Sequence, residues 1–351
     1  MSKVLMKGNE AIAEAAIAAG CVYFFGYPIT PQTEVAEYMA KRLPKVGGLC
    51  LQAESEVAAI NMLMGASAGG TRAMTSSSSP GVSLKSEGIS YIAGCDLPCL
   101  VVNVQRGGPG LGGIQPSQQD YYQATRGVGH GDLRLIVLAP SSVQEMASLT
   151  AEAFDLADAY RMPAMLLADG ALGQMMEPVD FSVFPKRELP EKTWATNGTK
   201  GQRKKNIVNS LFIDPNELEN SIRARYERYA KVEENEVRYE EYMTDDADII
   251  LVAFGITARI AKSAIADMRK TGIKAGLLRP ITLWPFPKKK LAELADTAKV
   301  FLSVEMSMGQ MVDDVRLAVG GKRPVHFFGR TGGIIPSVEE VAEEIRKLAE
   351  A

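Results

Sequence analysis

Short runs of almost unbroken apolar residues recur along the first half of the chain, separated by longer segments whose apolar positions repeat at helical spacing. Cys21–Phe25 (CVYFF), Gly48–Gln52, Cys99–Val104, Leu133–Leu138 and Ala164–Ala168 read as strands. Asn9–Ala19, the segment after Pro31, Glu56–Ala68 and Ser142–Ala159 read as helices between them. Strands without polar alternation, joined by helices, predict a parallel sheet covered on both faces. The rhythm returns after residue 245. Strands at Asp248–Val252, Lys274–Leu278 and Val300–Val304 alternate with helices at Ala258–Lys270, Lys288–Asp296, Gln310–Val319 and Ser337–Ala349. The last helix opens with the capping box Ser-Val-Glu-Glu.

Between about 186 and 245 the pattern breaks. WATNGTKGQRKKN is a polar surface loop, and Pro215–Tyr242 reads as a highly charged helix with opposite charges at i, i+4. Its plain reading is a solvated connector; the functional one is a face for another subunit. The expected fold is α/β, with one unit over 1–185, a polar loop and charged connector helix over 186–244, and a second unit over 245–351.

Composition narrows the function. The 351 residues carry 39 basic and 42 acidic side chains, a net charge of −3, which argues against a whole-domain nucleic-acid binder. Cys21, Cys50, Cys95 and Cys99 form no CxxC pair and read as reduced thiols, not as cluster ligands. MSKVLMKGNE lacks the apolar stretch of a signal peptide, and no run approaches the length of a membrane span. The expectation is a cytoplasmic protein without a membrane partner.

Two motifs mislead. Gly108–Gly113 matches GxGxxG after a strand, but Pro116 interrupts the helix that a dinucleotide site needs, which weakens a nicotinamide dehydrogenase. Asp169-Gly170 with Asn197 resembles part of a signature for magnesium and diphosphate, yet its first glycine is missing. A strand-terminal turn is the simpler reading. His130 and His326 pair with no nucleophile by spacing.

Four strand-end loops could carry chemistry, because ligands bind at the C-terminal ends of parallel strands. Gly26–Pro31 (GYPITP) offers the Thr30 hydroxyl, or is only a helix start. Gln52–Glu56 leads into a helix of small and apolar residues, so Glu56 is expected near the interior, or as a partner of the helix dipole. Thr75–Gly81 (TSSSSPG) offers hydroxyls and amides to an anion, or is a flexible loop. Arg106, at the end of a buried strand, is costly unless something anionic meets it. Together these residues suit a small anionic substrate.

YPITP at 27–31, Glu-x-Glu before the small-residue helix, SSPG at 78–81 and VNVQRGGPG at 102–110 resemble the α subunit of 2-oxoacid:ferredoxin oxidoreductases. DDADIILVAFG and GLLRPITLWPF in the second half are similar to that family's second domain. The resemblance implies a thiamine diphosphate pyrimidine-binding domain followed by a transketolase C-terminal-like domain. It also implies a β subunit holding the diphosphate, Mg2+ and a [4Fe-4S] cluster. Further γ and ferredoxin-like δ subunits would complete the complex, with coenzyme A and ferredoxin as co-substrates.

By the same resemblance Glu56 contacts the aminopyrimidine, with Glu54 in reserve. Tyr27, Pro28, Ile29, Ser79 and Gly81 line the cofactor, and Thr30 and Arg106 hold the substrate carboxylate and carbonyl. GGPGLGGIQPSQQDYYQ lacks the Ser-Thr-Gly-Leu-Pro-Thr stretch of the 2-oxoglutarate type and leans to a branched-chain 2-oxoacid such as 3-methyl-2-oxobutanoate. A 2-oxoglutarate enzyme, a transketolase-like transferase and a non-catalytic binding subunit are the alternatives.

Overall fold

The structure, a computed structural model, describes residues 3–184 and 187–350. The expected boundary at 185/186 lies outside the described residues. Elements alternate along the first part: β1 (Val4–Lys7), α1 (Gly8–Ala18), β2 (Tyr23–Gly26), α2 (Thr33–Arg42), β3 (Leu49–Gln52), α3 (Glu56–Ala68), β4 (Ala73–Ser77), α4 (Ser79–Gly94) and β5 (Leu100–Gln105). They continue as β6 (Ile136–Leu138), α5 (Val143–Tyr160), β7 (Ala164–Asp169), α6 (Gly170–Gln174) and β8 (Met176–Val179). The later part holds α7 (Pro215–Asn235), β9 (Tyr239–Tyr242), β10 (Ile249–Val252), α8 (Gly255–Lys270), β11 (Ala275–Pro280) and β12 (Thr282–Trp284). It ends with α9 (Lys288–Thr297), β13 (Val300–Glu305), α10 (Met311–Val319), β14 (Val325–Gly329) and α11 (Val338–Glu350).

Two sheets organise the molecule. The first has the order β12-β6-β7-β5-β4-β2-β3 and is parallel except where β12 joins antiparallel to β6. The second runs β14-β13-β10-β11-β9, antiparallel only at β9. Every residue of β5, β7, β10, β11 and β13 is buried, as expected of parallel strands covered on both faces. In the first part α1 packs on α2 and α5, and α3 on α4; in the second α8 packs on α11. No helix among the described residues is long and apolar enough to cross a membrane.

The segment expected as one helix over 215–242 behaves differently. Its helix ends at Asn235, and Tyr239–Tyr242 is an edge strand paired with β11. Exposure alternates along YEEY, as on an edge strand with one face toward solvent. Nor is α7 only a solvated connector. Arg225, Tyr229 and Val232 are buried, and Arg225 donates to Asp96 Oδ1 (3.0 Å) and the Gly94 carbonyl (3.1 Å). The ring of Tyr229 meets Trp284 edge-on, 5.8 Å between centroids.

Candidate active site

The four loops singled out in the sequence meet at the carboxyl ends of β3, β2, β4 and β5, four adjacent parallel strands. Register holds them level, since Gly26 faces Gln52 and Ser77 faces Asn103. Thr75–Gly81 is not a flexible loop. It is the end of β4 and the first turn of α4, and residues 75–79 are all buried because β4 lies between β2 and β5. Within it the hydroxyls of Thr75, Ser77 and Ser78 are buried without a hydrogen-bond partner among the described residues. Such groups are uncommon in folded interiors, and they leave donor and acceptor capacity open for water or a ligand.

Glu56 opens α3 directly behind the cap, where Ser55 Oγ accepts from Ala58 N at 3.1 Å. It is 6% exposed, whereas Glu54 is exposed. Its carboxylate faces Gly81 on α4. A β-carbon at Gly81 would lie 2.7 Å from Glu56 Oε1 and 2.1 Å from Ser77 Oγ, so only glycine lets α4 approach. Behind this cradle lies Lys85, fully buried, with an Nζ that has no hydrogen-bond partner among the described residues. Burial pushes its pKa down to about 8, opposed by the charge of Glu56.

Arg106 is 7% exposed, and neutral groups meet most of its guanidinium. Nη1 donates to the Thr30 carbonyl and Nη2 to the Leu111 carbonyl, each at 3.0 Å, while Nε has no partner. The expectation that an anion must meet this side chain is therefore corrected: backbone carbonyls engage two of its three nitrogens, and Nε stays open. Arg106 ties the β2–α2 loop to the glycine-rich loop 107–113. The side chains of Tyr27, Pro28 and Thr30 are exposed and Ile29 is half-buried, so this loop forms the rim.

Ser79 serves the interior. Its Oγ donates to Asp120 Oδ2 (2.5 Å) and accepts from Arg106 N (3.0 Å), and its amide donates to Asn103 Oδ1 (3.1 Å). Asn103 Nδ2 also donates to Asp120, whose pKa burial raises against both hydrogen bonds.

The two misleading motifs resolve plainly. Within Gly108–Gly113 no helix begins, and the loop folds back through Gly113 N to the Gly107 carbonyl (2.9 Å). Asp169 ends β7, and its Oδ1 accepts the amides of Ala171 and Leu172 at 3.0 Å. These two bonds cap α6, while its Oδ2 accepts Ile256 N (3.2 Å) from the later part of the chain. Asn197 lies in a surface loop, where its Oδ1 accepts from Arg203.

Sequence reasoning missed Lys85, Asn103, Asp120 and Gln32. Gln32 is wholly buried and its Oε1 accepts from Ser76 Oγ. One signal could have found Lys85: Gly81, Lys85 and Gly88 fall at i, i+4 and i+7, a helical face otherwise made of glycine and apolar residues.

Comparison with known proteins agrees with this geometry. The family model described as pyruvate flavodoxin/ferredoxin oxidoreductase, thiamine diphosphate-binding, matches residues 14–244. That for core domain II of pyruvate:ferredoxin oxidoreductase matches 247–341. The chain is 52% identical to the ketoisovalerate oxidoreductase subunit VorB of Methanothermobacter thermautotrophicus, over 99% of both chains. It is 36% identical to the 2-oxoglutarate synthase subunit KorA of Methanothermobacter marburgensis, over 97% of both. Among solved structures, 2-oxoglutarate:ferredoxin oxidoreductase from Magnetococcus marinus superposes with a TM-score of 0.90 at 30% identity. That alignment covers 99% of this chain but 65% of the longer one. A split-gene transketolase, at 13% identity and a TM-score of 0.59 over 97% of this chain and 95% of its own, shares the fold alone.

Proposed function

The chain belongs to the family of 2-oxoacid:ferredoxin oxidoreductase subunits, and from that premise we propose that it oxidises a branched-chain 2-oxoacid, 3-methyl-2-oxobutanoate, with coenzyme A, releasing carbon dioxide and passing electrons to ferredoxin. The observation that carries the reading is the open carboxylate of Glu56 in the Gly81 cradle, beside the unpartnered buried hydroxyl of Ser77. The 52% identity to a ketoisovalerate oxidoreductase subunit, against 36% to a 2-oxoglutarate synthase subunit, supports the substrate class.

These residues fit the aminopyrimidine end of thiamine diphosphate, the cofactor of the family's first domain. Bound there, the cofactor supplies a carbon nucleophile and an electron sink for decarboxylation. Glu56 would hold N1′ and share a proton with it, a task suited to a carboxylate shielded from water. Gly81, Ser79 and the rim residues Tyr27, Pro28 and Ile29 would shape the cradle. Thr30 and the open Nε of Arg106 would orient the substrate carboxylate and carbonyl. Asp169 is engaged by three backbone amides and lacks the preceding glycine of the metal signature, which supports placing the diphosphate and Mg2+ on a β subunit, together with a [4Fe-4S] cluster. The γ and δ subunits would carry electrons onward.

The test uses the assembled complex. Iron–sulfur absorption should bleach on adding 3-methyl-2-oxobutanoate and coenzyme A, with kcat/KM at least about tenfold above that for 2-oxoglutarate, a discrimination of roughly 1.4 kcal/mol. Higher kcat/KM on 2-oxoglutarate would reject the substrate assignment. No bleaching with either would reject the activity.

A further inference from the structure

Lys85 has no place in the reading above, yet it is the least comfortable charge in the first sheet. It is wholly buried, on the second turn of α4, with no hydrogen-bond partner for Nζ among the described residues. Helical side chains lean toward their helix N-terminus, so Lys85 runs back along the face that carries Gly81. That face packs on α3. Gly81 abuts Glu56, and a β-carbon at Gly88 would lie 2.4 Å from Ile60 Cγ2, one α3 turn further on. Lys85 lies between these two contacts.

Other charged groups near the site are spoken for. Asp120 accepts from Ser79 and Asn103, and Arg106 bonds to Thr30 and Leu111. From β4 and β5 come only uncharged side chains. Glu56 on α3 is the charge that acts on Lys85.

We propose that Lys85 is a positioning residue for Glu56, its buried ammonium being the counter-charge against which the carboxylate is held in the Gly81 cradle. The two groups make no hydrogen bond or direct ion pair, so the counter-charge acts across the α3–α4 seam that Gly81 and Gly88 bring together; its consequence for the reaction rests on Glu56 serving the cofactor. A buried ammonium is tolerated when a carboxylate offsets it, and an isolated one is costly. The arrangement works only while Lys85 keeps its proton. With its pKa depressed to about 8, loss of that proton falls just above neutral pH.

Two measurements test this. In the assembled complex, exchange of the C2 proton of bound thiamine diphosphate is followed from about pH 6 to about pH 10. The unaltered complex should show an alkaline limb near pH 8. Lys85→Arg should keep the neutral-pH rate and lose that limb, because a guanidinium stays charged. Lys85→Met should be slower at neutral pH by at least about tenfold. A purely structural lysine would lower the rate equally at every pH and leave the limb in place, which overturns the proposal.

The second measurement needs no cofactor. Glu56→Gln should lower the melting temperature by at least about 2 °C when Lys85 is present, and much less in the Lys85→Met background. Additive effects overturn the pairing, whatever the exchange rates do. Coupled effects with unaltered exchange in Glu56→Gln support the pairing and overturn the cofactor reading instead. If Lys85→Met fails to assemble, the double variant with Glu56→Gln should restore assembly; failure to do so also overturns the pairing.

Discussion

Glu56 and Glu305 stand in comparable places, each a buried carboxylate where a strand end gives way to a helix, one in each half of the molecule. Glu305 is wholly buried and receives five hydrogen bonds: from the hydroxyls of Ser303 (3.0 Å) and Ser307 (2.9 Å), and from the amides of Gln310, Met311 and Val312 at 2.9–3.0 Å. Glu56 is nearly as buried, faces a glycine, and has a lysine behind it with no hydrogen bond made. The saturated carboxylate fastens α10 to its sheet and has no lone pair to spare. The open one keeps its capacity for a ligand. At similar burial, the two carboxylates differ in their hydrogen-bond count.

The comparison can be broken most directly at Glu56. Glu56→Gln should leave assembly intact and slow C2-proton exchange of the bound cofactor by several orders of magnitude, since an amide cannot share the proton at N1′. If Glu54→Gln shows the loss and Glu56→Gln does not, the assignment moves two residues upstream. Next in size, Glu305→Gln should lower unfolding free energy by about 3 kcal/mol, read from urea denaturation, because an amide nitrogen then faces backbone donors. The exchange chemistry in the surviving folded complex should be unchanged. Equal damage to exchange from both substitutions would erase the distinction.

Arg106 lies between the two extremes, with Nη1 and Nη2 bonded and Nε free. Arg106→Met should reduce kcat/KM by roughly ten- to a hundredfold, the worth of one charge-assisted hydrogen bond. Arg106→Lys should recover only part, lacking the planar fork. Loss of thermal stability without loss of kcat/KM would make Arg106 an anchor for Thr30 and Leu111 and nothing more.

A further effect concerns pH. Lys85 releases its proton near pH 8 when folded and near 10.5 when unfolded. Between those values the unfolded chain binds more protons, so this residue makes the chain more stable as pH rises across that window. Its contribution to the slope is at most about 1.4 kcal/mol per pH unit. Lys85→Met should flatten the rise relative to the unaltered chain, measured as the urea midpoint against pH.

Much of the fold was legible because parallel strands buried on both faces need continuous apolar runs, and β5, β7, β10 and β13 have them. β4 was not. Its sequence AMTSS buries three hydroxyl residues in a row, which reads as loop chemistry until the neighbours β2 and β5 are known. β9 was hidden by its charge, since an edge strand need bury only alternate residues. Glu56 could be picked out because a lone carboxylate before small residues is conspicuous. Lys85 escaped because a lysine is assumed to reach water, and only its place on a glycine-and-apolar helical face says otherwise. Ser79 and Arg106 were found as residues, but the bonds of Ser79 to Asp120 and of Arg106 to Thr30 join distant stretches of chain that no spacing rule connects.

β12 carries a consequence of its own. Thr282–Trp284 comes from the later part of the chain, yet it closes the outer flank of the first sheet against β6. A fragment ending before Thr282 would leave Ile136–Leu138, all buried in the intact chain, as a bare apolar border with unpaired amides and carbonyls. Such borders recruit other strands. The early part of the chain thus emerges from synthesis unfinished, and its own tail must return to seal it before a second molecule does.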